Sequence, residues 1–330
     1  LHYGKIPMND LPKELVERIN LFEENYDLKF SHLPSSPKVV IGDKTNGCRF
    51  AVNEHPEQTF KQVAHALPEA IGNKSIICAE ECDSCNHFFS EHVEVHYDKL
   101  AKVYRQIAQI KGKKKVPSYK TKDKRSRIDV SDRVVIKQTV GSNMVEIDQE
   151  GKTVTINYEI EPYVPAVVYK TLVKMALSVM PRPLLDSFEA ANRWICNPDH
   201  TKDLMTPLMI DETFIPGPRP NPRPAALLLT RKDSCTQPFP HCIFVLAYGN
   251  IIQQIMVPSS ADVENIPDGK MRIPRFPTPF EVEWKYGGIR SCSVDYTSTD
   301  LLRDRVLPVT MSFEGMEEIP TDSNELKKYL

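Results

Sequence analysis

The chain has 330 residues, of which 41% are hydrophobic and 26% are charged. This length suffices for two domains of ordinary size, and the composition is that of a folded globular protein, which excludes fibrous and disordered classes. The net charge of −2 excludes a protein that binds nucleic acid over its whole surface, so any attraction to phosphate must come from a local patch.

No membrane or secretion segment is evident in the sequence. No stretch approaches the roughly 18–20 apolar residues of a membrane helix, and the start LHYGKIPMND lacks the layout of a secretion signal. We therefore expect a cytoplasmic protein without a membrane partner. Eight cysteines are too few for a disulfide scaffold, and in a reducing compartment a close cysteine pair indicates a metal site or a redox motif.

The first predicted element is an amphipathic helix over residues 11–26, where apolar residues recur at helical spacing. Residues 31–38 are rich in proline and serine and predict a loop, and the β-branched run that follows predicts a β-hairpin beginning near Val39. A long helix is predicted from Asn86 to Ile110, because apolar residues recur there at threes and fours without Gly or Pro.

Residues 111–127 form a basic stretch with nine Lys or Arg residues and one Asp. Such a block is either a solvated linker between domains or a patch that contacts phosphates, and both interpretations stay open. In the second interpretation the nucleic-acid-binding residues are Lys111, Lys113, Lys114, Lys115, Lys120 and Lys122.

The remainder of the chain predicts a larger α+β domain. Residues 132–140 and 152–160 alternate in the strand period and predict a hairpin. Two helices are predicted next, over residues 167–179 and from Pro183 onward. Five prolines in residues 212–224 predict an irregular or polyproline-like crossing, and the rest of the chain predicts strands. With helices grouped and strands at both ends, this pattern is typical of an α+β domain.

Cysteine and histidine concentrate between residues 48 and 96. Cys82 and Cys85 have the spacing of a zinc-binding pair, and Cys48 would begin a second pair, but Ala51 stands where its partner should be.

Three thiols leave a fourth zinc position undecided. His55, Cys78 and a water molecule are the alternatives for it, and a clip that binds no zinc is a further one. A thiol-redox protein is disfavoured, because the region lacks a βαβ pattern. His92 and His96 are interpreted as a solvated face of the long helix.

His65 lies between Cys48 and the motif CDSCN, and Asn86 directly follows Cys85. The order of thiol, histidine, thiol pair, amide and helix resembles the zinc-clipped members of the HNH, or ββα-metal, endonuclease superfamily over roughly residues 45–110. This resemblance implies an α+β chain with a small zinc-clipped ββα-metal module, a long helix and a larger α+β domain. It implies structural Zn²⁺ on Cys48, Cys82 and Cys85, and catalytic Mg²⁺ or another divalent ion on Asn86.

The resemblance also implies roles for single residues. His65 would act as general base toward a water, and Asn86 would help to hold the catalytic ion. Many superfamily members carry an acidic metal ligand just before this histidine, where the chain has Ala64, and Glu69 or His87 are the alternatives outside that position.

The activity so implied is metal-dependent hydrolysis of phosphodiester bonds in DNA, with RNA as the less favoured alternative. It would be joined to a C-terminal recognition or regulatory domain and would have a role in bacterial defence. A homodimer is compatible with it. The alternative is a catalytically degenerate HNH fold that binds nucleic acid or a protein partner. The predicted segments are a helix and loop (1–38), the HNH-like domain with its long helix (39–110), a basic linker (111–130) and an α+β domain of unknown role (131–330).

Overall fold

The computed structural model describes residues 10–50, 58–111, 116–130, 134–202, 207–218, 220–265, 271–282 and 286–316. Helices and strands are mixed along the chain, so the α+β class is confirmed. Contacts divide the chain into two compact units with borders that differ from the predicted segments. The first unit is Leu1–Pro117 with Glu161–Arg303, and the second is Ser118–Ile160 with Asp304–Leu330.

The secondary structure comprises six α-helices and fourteen strands within the described residues. The helices are α1 Lys13–Asn25, α2 Asp83–Phe88, α3 Glu94–Ile107, α4 Pro165–Val179, α5 Glu189–Cys196 and α6 Ser260–Asn265. The strands are β1 Tyr26–His32, β2 Val39–Ile41, β3 Ile76–Cys78, β4 Tyr119–Lys120, β5 Arg127–Val130, β6 Val134–Lys137, β7 Val145–Asp148, β8 Thr153–Glu159, β9 Met209–Phe214, β10 Asn221–Arg231, β11 Cys242–Gly249, β12 Ile251–Met256, β13 Arg290–Asp295 and β14 Val306–Ser312. None of the described helices combines the length and the apolar character needed to cross a membrane.

The first unit is built on a six-stranded antiparallel sheet with the strand order β1-β10-β11-β12-β9-β13. The two-residue turn Gly249-Asn250 joins β11 to β12. Gly249 has a φ of +52°, and a Cβ at this position would lie 2.6 Å from the Cβ of Ala108. This turn therefore requires glycine both for its left-handed backbone and for space.

The predicted irregular crossing over residues 212–224 is wrong at both ends. β9 extends to Phe214, and β10 begins at Asn221. Pro222 and Pro224 fall where the pairing of β10 with β11 shifts register between Asn221 and Ala225. The ladder is interrupted at this irregularity, so the N–H groups that proline lacks are not required there.

The two faces of this sheet are covered by different elements. α3 packs on one face, where the Tyr97 hydroxyl donates to the Gln253 side-chain oxygen at 2.6 Å. α4 packs beside α3, and its Tyr169 hydroxyl donates to the Met256 carbonyl at 2.6 Å. α1, which confirms the predicted first helix, covers part of the opposite face in an apolar cluster of Phe22, Tyr26, Leu229, Phe239, Ile243 and Val245.

The long helix begins earlier than predicted. α2, a π-helical turn over Phe89–Val93 and α3 follow one another directly, so the helical run starts at Asp83 rather than at Asn86 and ends at Ile107. The thiol motif therefore spans the start of the helical run, with Cys82 just before α2 and Cys85 in its first turn. α4 matches the predicted helix over residues 167–179, and α5 follows a 3₁₀ segment over Arg182–Phe188.

The predicted hairpin near Val39 is wrong, because β2 pairs with β3 in parallel. The antiparallel neighbour of β3 is instead a short bridge between His65 and Ile77. Hydrogen bonds on both sides extend this bridge, from the Ala66 N–H to the Ile76 carbonyl and from the Cys78 N–H to the Ala64 carbonyl. Along the chain, residues 64–66 pair with β3 in an antiparallel manner, and α2 follows β3.

The second unit contains two three-stranded sheets, with the orders β4-β5-β6 and β14-β8-β7. The hairpin predicted between residues 132–140 and 152–160 is wrong, since β6 pairs with β5 and β8 pairs with β7 and β14. Part of the predicted basic linker forms β4 and β5. Alternation identified the strands but carried no information about their partners.

Candidate metal centre and active site

Three thiols come together at the N-terminus of α2. Cys48 follows a 3₁₀ turn over Lys44–Asn46, Cys82 is the residue that precedes α2, and Cys85 lies in its first turn. Their sulfur atoms all lie within 4.8 Å of one another. Zinc with thiolate bonds of about 2.3 Å in a tetrahedron would place sulfur atoms about 3.8 Å apart. The three thiols therefore fit a zinc ion after small side-chain movements.

Hydrogen bonds within this group make one thiol acidic. The Cys85 thiol donates to Cys48 and lowers the pKa of Cys48 to about 5, assisted by the backbone N–H groups of Cys82 and Phe50. The N–H of Cys82 lies 3.4 Å from the Cys48 sulfur. Because Cys85 is the donor, the same hydrogen bond raises its pKa. These hydrogen bonds favour the thiolate form of Cys48, and thiolate is the form of cysteine that binds metals.

Of the alternatives for a fourth ligand, Cys78 can be placed. It lies on β3 and does not belong to the thiol group. Burial raises the pKa of Cys78 to about 11, so its thiol stays protonated. Ala51 and His55 lie outside the described residues. Within the described residues the ligand set is therefore three thiols, and the fourth position falls to a group outside them or to water.

His65 lies in the middle of the short antiparallel pairing beside β3. Its Nε2 atom is 3.6 Å from Oε1 of Glu69, which begins the 3₁₀ turn Glu69–Ile71 after Pro68. The side chains of the pair are 22% and 31% exposed, so a solvent molecule or ligand can reach both. The backbone of His65 is held from beneath, because the Lys174 ammonium donates to its carbonyl at 3.2 Å.

Asn86 is the fourth residue of α2, one turn away from its predicted place at the head of the helix. Its side-chain amide donates to Oε1 of Gln62 at 3.3 Å. Gln62 belongs to residues 59–62, a segment that the Asp83 carboxylate holds by accepting from the Thr59 hydroxyl and from the N–H groups of Lys61 and Gln62. The contact places Asn86 against the segment that leads into His65.

Asn73 is a structural residue of this region that the sequence reasoning missed. Its side-chain amide donates to the carbonyls of Leu67 and Ile76, and its side-chain oxygen accepts from the N–H groups of Ser75 and Ile76. Asn73 is buried and closes the loop between residue 67 and β3. The signal was the Gly72-Asn73 pair, which is typical of turns, with Gly72 at a φ of +92°.

A buried ion cluster underlies His65 and was also missed. The Lys174 ammonium on α4 lies 3.0 Å from a carboxylate oxygen of Glu81 and 3.0 Å from one of Glu94, and 5.5 Å from the centre of the Phe89 ring. Burial raises the pKa of Glu81 to about 7, against the opposing effect of Lys174. The sequence signal for this cluster was a lysine within an otherwise apolar helix. Helical spacing alone indicates only that such a helix is part of a core.

A second buried ion pair joins the thiol region to the end of α4. Arg49, next to Cys48, donates to Glu80 at 2.7 Å, and both side chains are 1% exposed. Its other terminal nitrogen donates to the carbonyls of Leu177, Ser178 and Met180 at 2.6–3.1 Å. These carbonyls lie at the C-terminus of α4, where intrahelical partners are lacking, so Arg49 acts as a cap.

The predicted nucleic-acid-binding lysines are distributed over both units. Lys111 is exposed after α3, and Lys120 is exposed on β4. Lys122 forms an ion pair with Asp304, and its N–H donates to Glu159, so its charge is already partly neutralised. Three more lie outside the described residues: Lys113, Lys114 and Lys115.

His96, predicted to lie on a solvated face, is half-buried. Its Nδ1 atom accepts a hydrogen bond from the Val164 N–H at 2.9 Å, and its ring lies 6.1 Å from that of His200. Burial lowers the pKa of both histidines to about 4, and nearby lysines contribute. His96 therefore serves as a neutral acceptor that connects α3 to the start of α4.

In comparisons with protein-family models, with curated proteins and with solved structures, nothing matches this chain. The resemblance to the HNH superfamily accordingly stays a prediction from the motif, and functional inference must rest on the residues of the site.

Proposed function

We propose that this chain is a metal-dependent endonuclease that hydrolyses phosphodiester bonds of DNA. The observation that carries the proposal is the arrangement around α2. A short antiparallel pairing with His65 at its centre precedes the helix, and three thiols gather where the helix begins. A partly exposed imidazole beside a carboxylate, on a segment held by buried ion pairs and a candidate zinc clip, is suited to proton transfer.

In the proposed reaction, neutral His65 takes a proton from a water whose oxygen forms a bond to phosphorus. The bond from phosphorus to the leaving oxygen breaks, that oxygen takes a proton from solvent water, and the His65 imidazolium returns its proton to solvent. Glu69 and Asn86 would hold a divalent cation such as Mg²⁺, since hard cations prefer oxygen ligands. Such an ion, when bound, stabilises the negative charge on the phosphate and the leaving oxygen.

The structural role in this proposal falls to zinc on Cys48, Cys82 and Cys85. Zinc at this position would tie the segment before His65 to the start of α2 across more than thirty residues of sequence. Glu69 takes the role of the acidic ligand that Ala64 does not supply. Ala64 is 3% exposed and its carbonyl pairs with the Cys78 N–H, so this position serves the backbone pairing.

The test is cleavage of plasmid and single-stranded DNA by the full chain with Mg²⁺, Mn²⁺ or Ni²⁺. His65→Ala should lower the rate by at least about a hundredfold, since a general base contributes roughly 10²–10⁴-fold. His92→Ala is the matched control, because His92 is exposed on the π-helical turn Phe89–Val93 and has no role in the proposed reaction. Equal rates for the two variants, or cleavage that persists without any added metal and with a chelator present, would contradict the proposal.

The second candidate is a degenerate module that binds nucleic acid without cutting it. Ala64 favours it, because the position of the acidic ligand carries no donor. It predicts salt-dependent DNA binding that is equal in the wild type and His65→Ala, with no cleavage in any metal. If Lys111 and Lys120 each bind one phosphate, replacing either by Glu should reduce the slope of log affinity against log salt by about 1.

A further inference from the structure

A cavity of about 280 Å³ lies on the outer face of the six-stranded sheet, the face that carries α1. Six segments of the first unit contribute to its lining, namely residues 33–34, the strands β9, β10, β11 and β12, and residues 276–280. This volume is near the lower end of small-molecule sites, which span ~300–1,000 Å³. The cavity takes no part in the proposed cleavage reaction.

Small side chains in one row of the sheet create the floor. Ala225 on β10 pairs with Ala247 on β11, which pairs with Ile252 on β12, which pairs with Thr213 on β9. Adjacent positions of a pleated sheet that pair directly point to the same face. Two alanines side by side leave a depression, whereas the neighbouring part of this face is filled by the aromatic side chains of α1 and β1.

The wall over this floor is held in place by hydrogen bonds. The buried Gln254 side chain donates to the Pro274 carbonyl at 2.8 Å and accepts from the Phe276 N–H at 2.6 Å. Thr278 and Glu281 form a capping box that fixes the following 3₁₀ turn. The cavity is therefore preformed, and a ligand would not need to order this wall on binding.

The chemistry of the lining selects the class of ligand. None of the described residues that line the cavity carries a charge, and most are aliphatic, aromatic or proline. The polar lining groups are Thr213, Asn221 and Thr278, and all three already have partners, in the Ser291 hydroxyl, the Gly249 carbonyl and the Phe280 N–H. A charged ligand would lose its hydration here without gaining an ion pair.

We propose that this cavity is a binding site for a small, neutral and mainly apolar molecule of about the size of a bicyclic aromatic compound. The floor of the sheet and the Phe276 side chain contact its faces. At most one or two polar groups of the ligand meet the hydroxyls at the rim.

The test uses indole as the probe and the full chain, with binding followed by saturation-transfer NMR and calorimetry. Wild type should bind indole with a Kd below about 1 mM. Ala247→Phe, which fills the cavity, should weaken binding at least about tenfold. Leu28→Phe is the matched control, because Leu28 is 54% exposed on β1 of the same sheet and does not line the cavity. It should leave the Kd unchanged.

Two further measurements keep the proposal open to refutation if Ala247→Phe does not fold. Indole-3-acetate, the charged analogue, should bind wild type at least about tenfold more weakly than indole, because its carboxylate finds no partner. Ile252→Ala should enlarge the floor and improve the affinity for 2-phenylindole relative to indole. Absence of indole binding, equal binding of the charged analogue, or no change in relative affinity in Ile252→Ala would each overturn the proposal. None of these results depends on nuclease activity.

Discussion

The candidate site and the six-stranded sheet are stabilised in different ways, although both belong to the first unit. The site region, residues 39–50 and 58–88, has strands of three residues. It relies on buried charges, with Arg49 paired to Glu80 and Lys174 paired to Glu81 and Glu94. The sheet has strands of six to eleven residues and buries aliphatic and aromatic side chains. The stability that a buried ion pair provides is lost when either partner is removed, whereas the stability from apolar burial is spread over many contacts.

The largest loss of stability is expected from Lys174→Met, which removes the cation of the buried ion cluster in the site region. Removal of the ammonium leaves Glu81 and Glu94 facing each other without a cation, and breaking a buried pair costs roughly 3–5 kcal/mol. Urea denaturation should show this loss in the free energy of unfolding. Lys202→Met is the control, because the Lys202 side chain is 69% exposed, and it should change the free energy by less than about 0.5 kcal/mol. Equal effects of the two substitutions would contradict the role assigned to the ion cluster.

Leu246→Ala tests the contribution of apolar burial to the stability of the six-stranded sheet. Leu246 is fully buried on β11, and its truncation removes apolar contacts and leaves a cavity at a cost of about 3 kcal/mol. Hydrogen exchange should accelerate throughout the sheet, since its strands share one core. Val263→Ala, at a position that is 77% exposed, should have little effect. If the acceleration were confined to β11, the sheet would not behave as one cooperative element.

Cys82→Ser tests whether the thiols organise the site region through a metal. Roughly one zinc per chain is expected in the wild type and none in the variant, by elemental analysis. Amide protection at residues 64–66 and 76–78 should fall about a hundredfold, or ~2.8 kcal/mol, while the sheet keeps its protection. Cys235→Ser is the matched control, because Cys235 lies outside the thiol group. Equal zinc content in both variants would rule out the clip.

The smallest effect concerns pH and the contact between α3 and α4. Burial lowers the folded pKa of His96 and His200 from about 6.5 to about 4, so between these values the unfolded chain binds more protons. Stability present above pH 6.5 should therefore be lost as the pH falls toward 4, by roughly 1–2 kcal/mol after allowance for solvent screening.

His96→Gln should reduce this pH dependence, and His87→Gln at its exposed position should leave it unchanged. The measurement is the free energy of unfolding from pH 7 to 4.5. A stability curve that is the same in all three proteins would show that His96 does not contribute.

Local patterns predicted some elements well and failed at others for an identifiable reason. The helical spacing of Leu15, Ile19 and Phe22 predicted α1, and all three are buried. Strand alternation predicted β6 and β8 but paired them wrongly, because alternation is the same whichever strand is the neighbour. The number of prolines predicted a loop where β10 begins. This prediction was wrong, because a register irregularity in the sheet accommodates the prolines.

The candidate site shows the same division. Cys82 and Cys85 were identified from their spacing, since two residues that are three positions apart on a helix are close in any fold. Lys174 lies on a helix that was predicted from its apolar residues, and its ionic role became visible only once Glu81 and Glu94 lay opposite it. The cavity over Ala225 and Ala247 has no sequence signal, because alanines on separate strands meet only after the sheet has formed.

Local sequence patterns were sufficient to locate α1, α3, α4 and α5, some of the strands, the thiol pair at the start of α2 and the imidazole that lies between it and Cys48. Long-range packing determined that Cys48 reaches that pair, that β2 runs parallel to β3, and that a lysine of α4 supports His65. The difference lies in sequence separation, because contacts between residues a few positions apart are determined by backbone geometry. Partners tens of residues apart are set by which faces are buried together, and no local pattern encodes that choice.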